Sequence, residues 1–97
     1  MIRVMIERQC QSGKEAQLKD LLLELRVAAI RQYGYISGET LREVDHPSTL
    51  MVISTWVSIE SWKKWQTARP RMLIADMMAA LLTAEEKIRV FTEDHDF

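Results

Sequence analysis

The first residues of the chain alternate, with Ile2, Val4 and Ile6 on one face and Met1, Arg3, Met5 and Glu7 on the other. A period of two is the mark of a half-buried strand and predicts one over residues 1–8. Gln11-Ser12-Gly13 interrupts the pattern. From residue 14 to residue 32 the period lengthens: Leu18, Leu22, Leu25 and Ala29 recur at the spacing of one helix face, and Gly34 supplies a left-handed stop. Leu23, Val27 and Ile30 form a second apolar stripe on that helix, open either to solvent or to another chain. Residues 36–44 alternate in part. Residues 50–56 are apolar almost throughout, with Leu50, Val52 and Trp56 on one face and Met51 and Ile53 on the other. Between these two runs, Asp45-His46-Pro47-Ser48 provides turn chemistry.

The Ser58 hydroxyl is placed to cap a short helix over residues 59–67, and Pro70 suits the first turn of another over residues 70–82, with the break at Ala68-Arg69. Met72, Met77 and Met78 lie beside Leu73, Ile74, Leu81 and Leu82, so this last helix has a broad and adaptable apolar face. Residues 87–92 alternate again as a final strand, and residues 93–97 form a charged tail expected to fray. The order is βαββαβ with its second helical unit broken in two, which points to a ferredoxin-like α+β fold with an antiparallel sheet. In that topology helices cover only one side of the sheet. A third strand that is apolar on both faces therefore asks for a second cover, and the same sheet of a twin subunit would supply it, giving a homodimer.

With 97 residues and 47% hydrophobic content, one domain is expected, with surplus apolar surface that favours pairing. Thirteen Lys and Arg stand against fourteen Asp and Glu, interspersed, so no basic face for nucleic acid emerges. The longest apolar runs fall far short of the ~20 residues a membrane span needs. No signal-peptide pattern precedes the first strand, and a cytoplasmic location is expected. Cys10, the sole cysteine, has no partner for a disulfide and no metal-ligand spacing around it.

Several segments together resemble the antibiotic-biosynthesis-monooxygenase family of the dimeric α+β barrel superfamily: Gly34-Tyr35, Ser37-Gly38-Glu39-Thr40-Leu41, Trp56 at the end of its strand, and Ser58-Ile59-Glu60-Ser61-Trp62. The resemblance spans nearly the whole chain. It implies a pocket between helices and sheet bordered by Trp56, and a function drawn from cofactor-free oxidation of quinones and anthrones, haem degradation, or binding without turnover. Trp65 stands where the family commonly has histidine, and the haem-degrading branch carries tryptophan there. That branch also needs an asparagine in the first strand, where this chain reads Met5-Ile6-Glu7-Arg8, and a histidine about ten residues beyond the tryptophan, where it has Ala75. Both are missing, so haem-binding ranks last.

The remaining residues suit a cofactor-free oxygenase, which needs an apolar cavity, a base and a donor or two. Trp56, Trp65, Met77, Met78 and Tyr35 are the candidate substrate-binding residues, and Glu39, Glu7 and Asp76 are the weak candidates for a base. For Trp62 and Trp65, packing in the core is the competing role; His46 and His95 are expected on the surface. No metal, flavin or other cofactor is expected. The leading expectation is a monooxygenase-like protein acting on a small aromatic or quinone-type molecule. The alternative is a non-catalytic dimeric binding or stress-related module for a small hydrophobic ligand.

Overall fold

The structure, a computed structural model, describes residues 1–95; of the charged tail, Asp96 and Phe97 lie outside the described residues. Seven elements follow in order: β1 (Ile2–Gln9), α1 (Glu15–Ile30), β2 (Tyr35–Arg42), β3 (Thr49–Trp56), α2 (Ile59–Gln66), α3 (Arg69–Ala79) and β4 (Lys87–Thr92). The strands form one antiparallel sheet in the order β2-β3-β1-β4. This is the ferredoxin-like α+β arrangement expected from the sequence, with the second helical unit divided. Among the described residues no helix is long and apolar enough to cross a membrane.

Register settles which residues share a face, because directly opposed residues of an antiparallel pair point the same way. Val4 faces Ser54, Ile6 faces Val52, Arg8 faces Leu50, and Ile2 faces Trp56. These side chains lie toward the helices, where Leu18, Leu22, Leu25 and Ala29 of α1 meet Trp62 and Trp65 of α2 and Met78 of α3 in one buried cluster. On the opposite face, Met5 lies between Ile53 and Arg89, Met51 pairs with Leu41, and Phe91 pairs with Arg3. That face carries no helix among the described residues. Met51, Ile53 and Thr55 are accordingly only half-buried, and Leu41 and Phe91 are exposed.

The junctions explain the element boundaries. Gly34 has φ +89, and a Cβ added there would collide with the Ser61 side chain, so both backbone conformation and close approach require glycine. The Val57 N–H donates to the Gly34 carbonyl at 2.8 Å, tying the entry of β2 to the exit of β3. Ser58 caps α2 as expected, accepting from the Ser61 N–H at 3.2 Å, and Ser61 Oγ in turn accepts from the Ser58 N–H at 3.3 Å. The third helix ends at Ala79, short of the expected residue 82. Leu82 instead bridges to Cys10, the Gln11 N–H donates to the Leu81 carbonyl, and the Thr83 N–H donates to the Gln9 carbonyl. Pairing with the end of β1 thus takes these residues out of the helix. The second strand starts one residue early and stops at Arg42, where the Glu43 N–H turns to the Thr49 carbonyl and leaves Val44 in solvent.

Candidate functional site

Between the sheet and α1 and α2 lies a cavity of about 50 Å³. Its aromatic wall is built from three elements. Trp56 closes β3, Tyr35 opens β2, and Trp62 and Trp65 project three residues apart from α2, so all three tryptophans of the chain converge here. Trp56 is the hub. Its ring stacks on Trp65 with centroids 6.3 Å apart and planes at 26°, meets Trp62 at 5.9 Å and 61°, and receives Tyr35 edge-on at 5.3 Å and 86°. Its indole N–H is already engaged, donating to Ser54 Oγ at 3.0 Å. Ile6, Leu22, Leu25 and Val52 add aliphatic surface, while Arg26 and Thr40 add polar groups.

Tyr35 is half-buried and lies over Gly38, whose missing Cβ would sit 2.5 Å from the tyrosine hydroxyl. The glycine therefore makes room for the phenol. Cavities that hold drug-sized molecules run to roughly 300–1,000 Å³, so a ring enters this one only if a wall moves. Tyr35, on the half-exposed rim, is the wall with somewhere to go.

The cavity also contains a charge that the candidate residues do not include. Arg8 continues the inward face of Val4 and Ile6 and is 1% exposed. Its Nε donates to Glu86 Oε2 at 3.0 Å, and Nη2 lies 2.9 Å from the same oxygen without the geometry of a hydrogen bond. Arg71, also buried, donates from Nη2 to Glu86 Oε1 at 3.1 Å and lies over the Trp62 ring at 5.5 Å. Burial pushes the Arg8 pKa down, Glu86 opposes that, and the Arg71 charge adds to it. One carboxylate is thus shared by two guanidinium groups. The signal for Arg8 was in the alternation of β1, which places residue 8 with residues 2, 4 and 6; its partners lie more than sixty residues away, beyond any local pattern.

Of the residues singled out from the sequence, Tyr35, Trp56 and Trp65 come together around the cavity. Glu39 borders it through its strand, but its register opposite Ile53, between Gly38 and Thr40, puts its side chain on the open face of the sheet. Glu7 lies on that open face too, 3.9 Å from Lys87 Nζ. Met78 is buried in the core beside the cavity without lining it, and Met77 is exposed on α3. Asp76 lines a separate, wider cavity of about 500 Å³ between α3 and β4, together with Glu85, Glu86 and several alanines. His46 pairs with Glu43 in the β2–β3 turn and His95 pairs with Glu93, both exposed.

The family model for "Antibiotic biosynthesis monooxygenase" matches residues 1–71, nearly three quarters of the chain. The protein belongs to the antibiotic biosynthesis monooxygenase family. No curated protein matches it in sequence. Among solved structures, a conserved protein from Methanosarcina mazei Go1 is 19% identical with TM-score 0.90, covering 96% of this chain and 92% of that one. SnoaB, a cofactor-independent oxygenase from Streptomyces nogalater, is 19% identical with TM-score 0.83, covering 97% and 94%. Rv0793 from Mycobacterium tuberculosis is 14% identical with TM-score 0.87, covering 96% and 94%. At these identities the likeness establishes the fold. The matched span of this family member includes β1, β2, β3 and α2, and so every residue of the aromatic wall.

Proposed function

We propose that the protein is a cofactor-independent monooxygenase acting on a small aromatic or quinone-type molecule in the tryptophan-walled cavity, as a homodimer joined through the open face of its sheet. The observation that carries this reading is the convergence of Trp56, Trp62, Trp65 and Tyr35 on one apolar cavity. Flat π-surfaces in offset and edge-on arrangements are what an aromatic ring binds against. Family membership supports oxygenation as the chemistry, and SnoaB is named as an oxygenase that works without a cofactor.

The chemistry asks little of the protein. A methylene between two carbonyl-bearing or aromatic rings loses a proton to give a carbanion, the carbanion passes an electron to dioxygen, and the resulting radicals combine as a peroxide. Loss of water leaves a ketone, so CH2 and O2 become C=O and H2O. The cavity contributes desolvation and orientation. Hydroxyls of Tyr35, Thr40 and Ser54 face it or border it, but no carboxylate side chain from Glu7, Glu39 or Asp76 does. The substrate must therefore be acidic enough to ionise without a strong protein base.

Oxygen uptake over a panel of anthrones and quinols tests the reading. A rate well above buffer that falls at least about tenfold in Trp56→Phe is expected, given the energy of an aromatic contact and its orientation. No rate above buffer across the panel counts against it. The lack of a facing carboxylate among the described residues favours a second reading, a non-catalytic module that binds a small hydrophobic molecule, and its sign would be an apolar ligand recovered unchanged from the purified protein.

A further inference from the structure

The Arg8–Glu86–Arg71 group carries one more positive than negative charge, and the surplus is buried against the aromatic wall. Arg8 Nη1 has no hydrogen-bond partner among the described residues, nor does Nη2 in proper geometry. The side chain is 1% exposed, and it lines the cavity with Trp56 and Tyr35. Glu86 already serves both arginines, Glu39 and Glu7 point to the other side of the sheet, and Arg26 at the rim adds a further positive charge. A buried guanidinium with unpaired N–H groups is costly to maintain unless something occupies them. Its planar fork matches an oxygen anion in the plane of a conjugated ring.

We propose that the ligand of this cavity is an anion: an aromatic or quinone-type molecule carrying an ionised ring oxygen, enolate or phenolate, which accepts from the free N–H groups of Arg8 while the ring lies against Trp56. The proposal rests on the reading of the cavity as an aromatic site and narrows its ligand class. Arg71, stacked on Trp62 and held by Glu86, positions the carboxylate that aims Arg8. Where the anion is the enolate of the reacting methylene, that carbon has already lost its proton and no carboxylate base is needed for the step.

Two probes of nearly equal shape separate charge from stacking: 2-hydroxy-1,4-naphthoquinone, an enolate at neutral pH, and its neutral 2-methoxy counterpart. Calorimetric titration of the wild-type protein is expected to favour the enolate by roughly tenfold or more, as a charge-assisted hydrogen bond implies. Arg8→Met is expected to bring the two affinities together while still binding the methoxy probe, and Lys63→Met, an exposed position of α2 outside the cavity, to keep the preference. Equal affinities in the wild type overturn the role of Arg8 and leave the aromatic site standing. A preference that survives in folded Arg8→Met, with folding checked by circular dichroism, does the same. Should Arg8→Met not fold, Arg8→Lys takes its place and is expected to keep only part of the preference, with the wild-type comparison decisive on its own. Failure of both probes to bind overturns the aromatic site and this proposal together.

Discussion

Gly34 and Gly38 lie within one short stretch, yet an added methyl group should affect them in opposite ways. At Gly34 the backbone is left-handed and the new Cβ overlaps Ser61, part of the α2 cap, so Gly34→Ala is expected to cost about 1–3 kcal/mol or more in a urea titration. At Gly38 the new Cβ comes too close to the Tyr35 hydroxyl, the far end of a side chain that can swing outward, and meets the Ile53 carbonyl at an ordinary 3.6 Å. Gly38→Ala should therefore leave stability within about 1 kcal/mol and change affinity for an aromatic ligand. Equal destabilisation by the two would contradict the role given to Tyr35 as the movable wall. Individual residues differ in how legible they are from sequence. Gly34 can be read because a helix pattern stops there, and Trp56 because it ends an apolar run before a capping serine. Met77 and Met78 cannot be told apart, since both belong to a broad apolar face and only the seating of α3 sends Met78 inward and Met77 into solvent. Arg8 sits in plain alternation with Ile2, Val4 and Ile6, but a charged side chain on an inner face is intelligible only once Glu86 and Arg71 are seen beside it.

At the level of elements, strand and helix identities follow from the two periods, and the differences arise where backbone from distant segments meets. The early end of α3 is the clearest case: residues 80–82 continue an apolar helical pattern, yet the end of β1 claims their backbone groups. A second long-range tie joins the β2–β3 turn to the start of α1. The Ser48 hydroxyl donates to Glu15 Oε2 at 2.7 Å, and Glu15 Oε1 accepts from the Gly13 N–H at 2.8 Å. The serine bond, more than any other contact, holds the Glu15 pKa below its usual value, with backbone N–H groups also contributing. A carboxylate whose pKa is lowered by folding stabilises the fold above the ordinary carboxylate range, and that stability is lost as pH falls through the folded-state pKa. Ser48→Ala should thus lower the urea midpoint slightly at neutral pH, and the gap to wild type should close in acid. The effect is small because Glu15 is screened by solvent. A gap of the same size at both pH values would show that Glu15 is not its source.

Taken whole, the molecule has two apolar surfaces on one sheet, and only one of them is covered by its own helices. Met5, Met51, Ile53, Leu41 and Phe91 share the uncovered face, flanked by Arg3, Glu7, Glu39, Lys87 and Arg89. An apolar centre with a charged rim is the anatomy of a subunit interface. Sedimentation velocity at micromolar concentration is expected to show a dimer, and Ile53→Lys a monomer that keeps its circular dichroism; a wild-type monomer would leave the second face without its proposed cover. The apolar character of both faces was legible in the pattern of residues 50–56, whereas the cavity under the helices depends on how three elements meet. The central claim concerns that cavity. Because all three tryptophans line it, their indole N–H signals in a proton–nitrogen NMR spectrum report on it directly. Titration with 2-hydroxy-1,4-naphthoquinone is expected to shift the three indole resonances along a single saturable isotherm. Saturation that moves backbone amides elsewhere while the three indoles stay fixed would contradict the assignment of this cavity as the binding site.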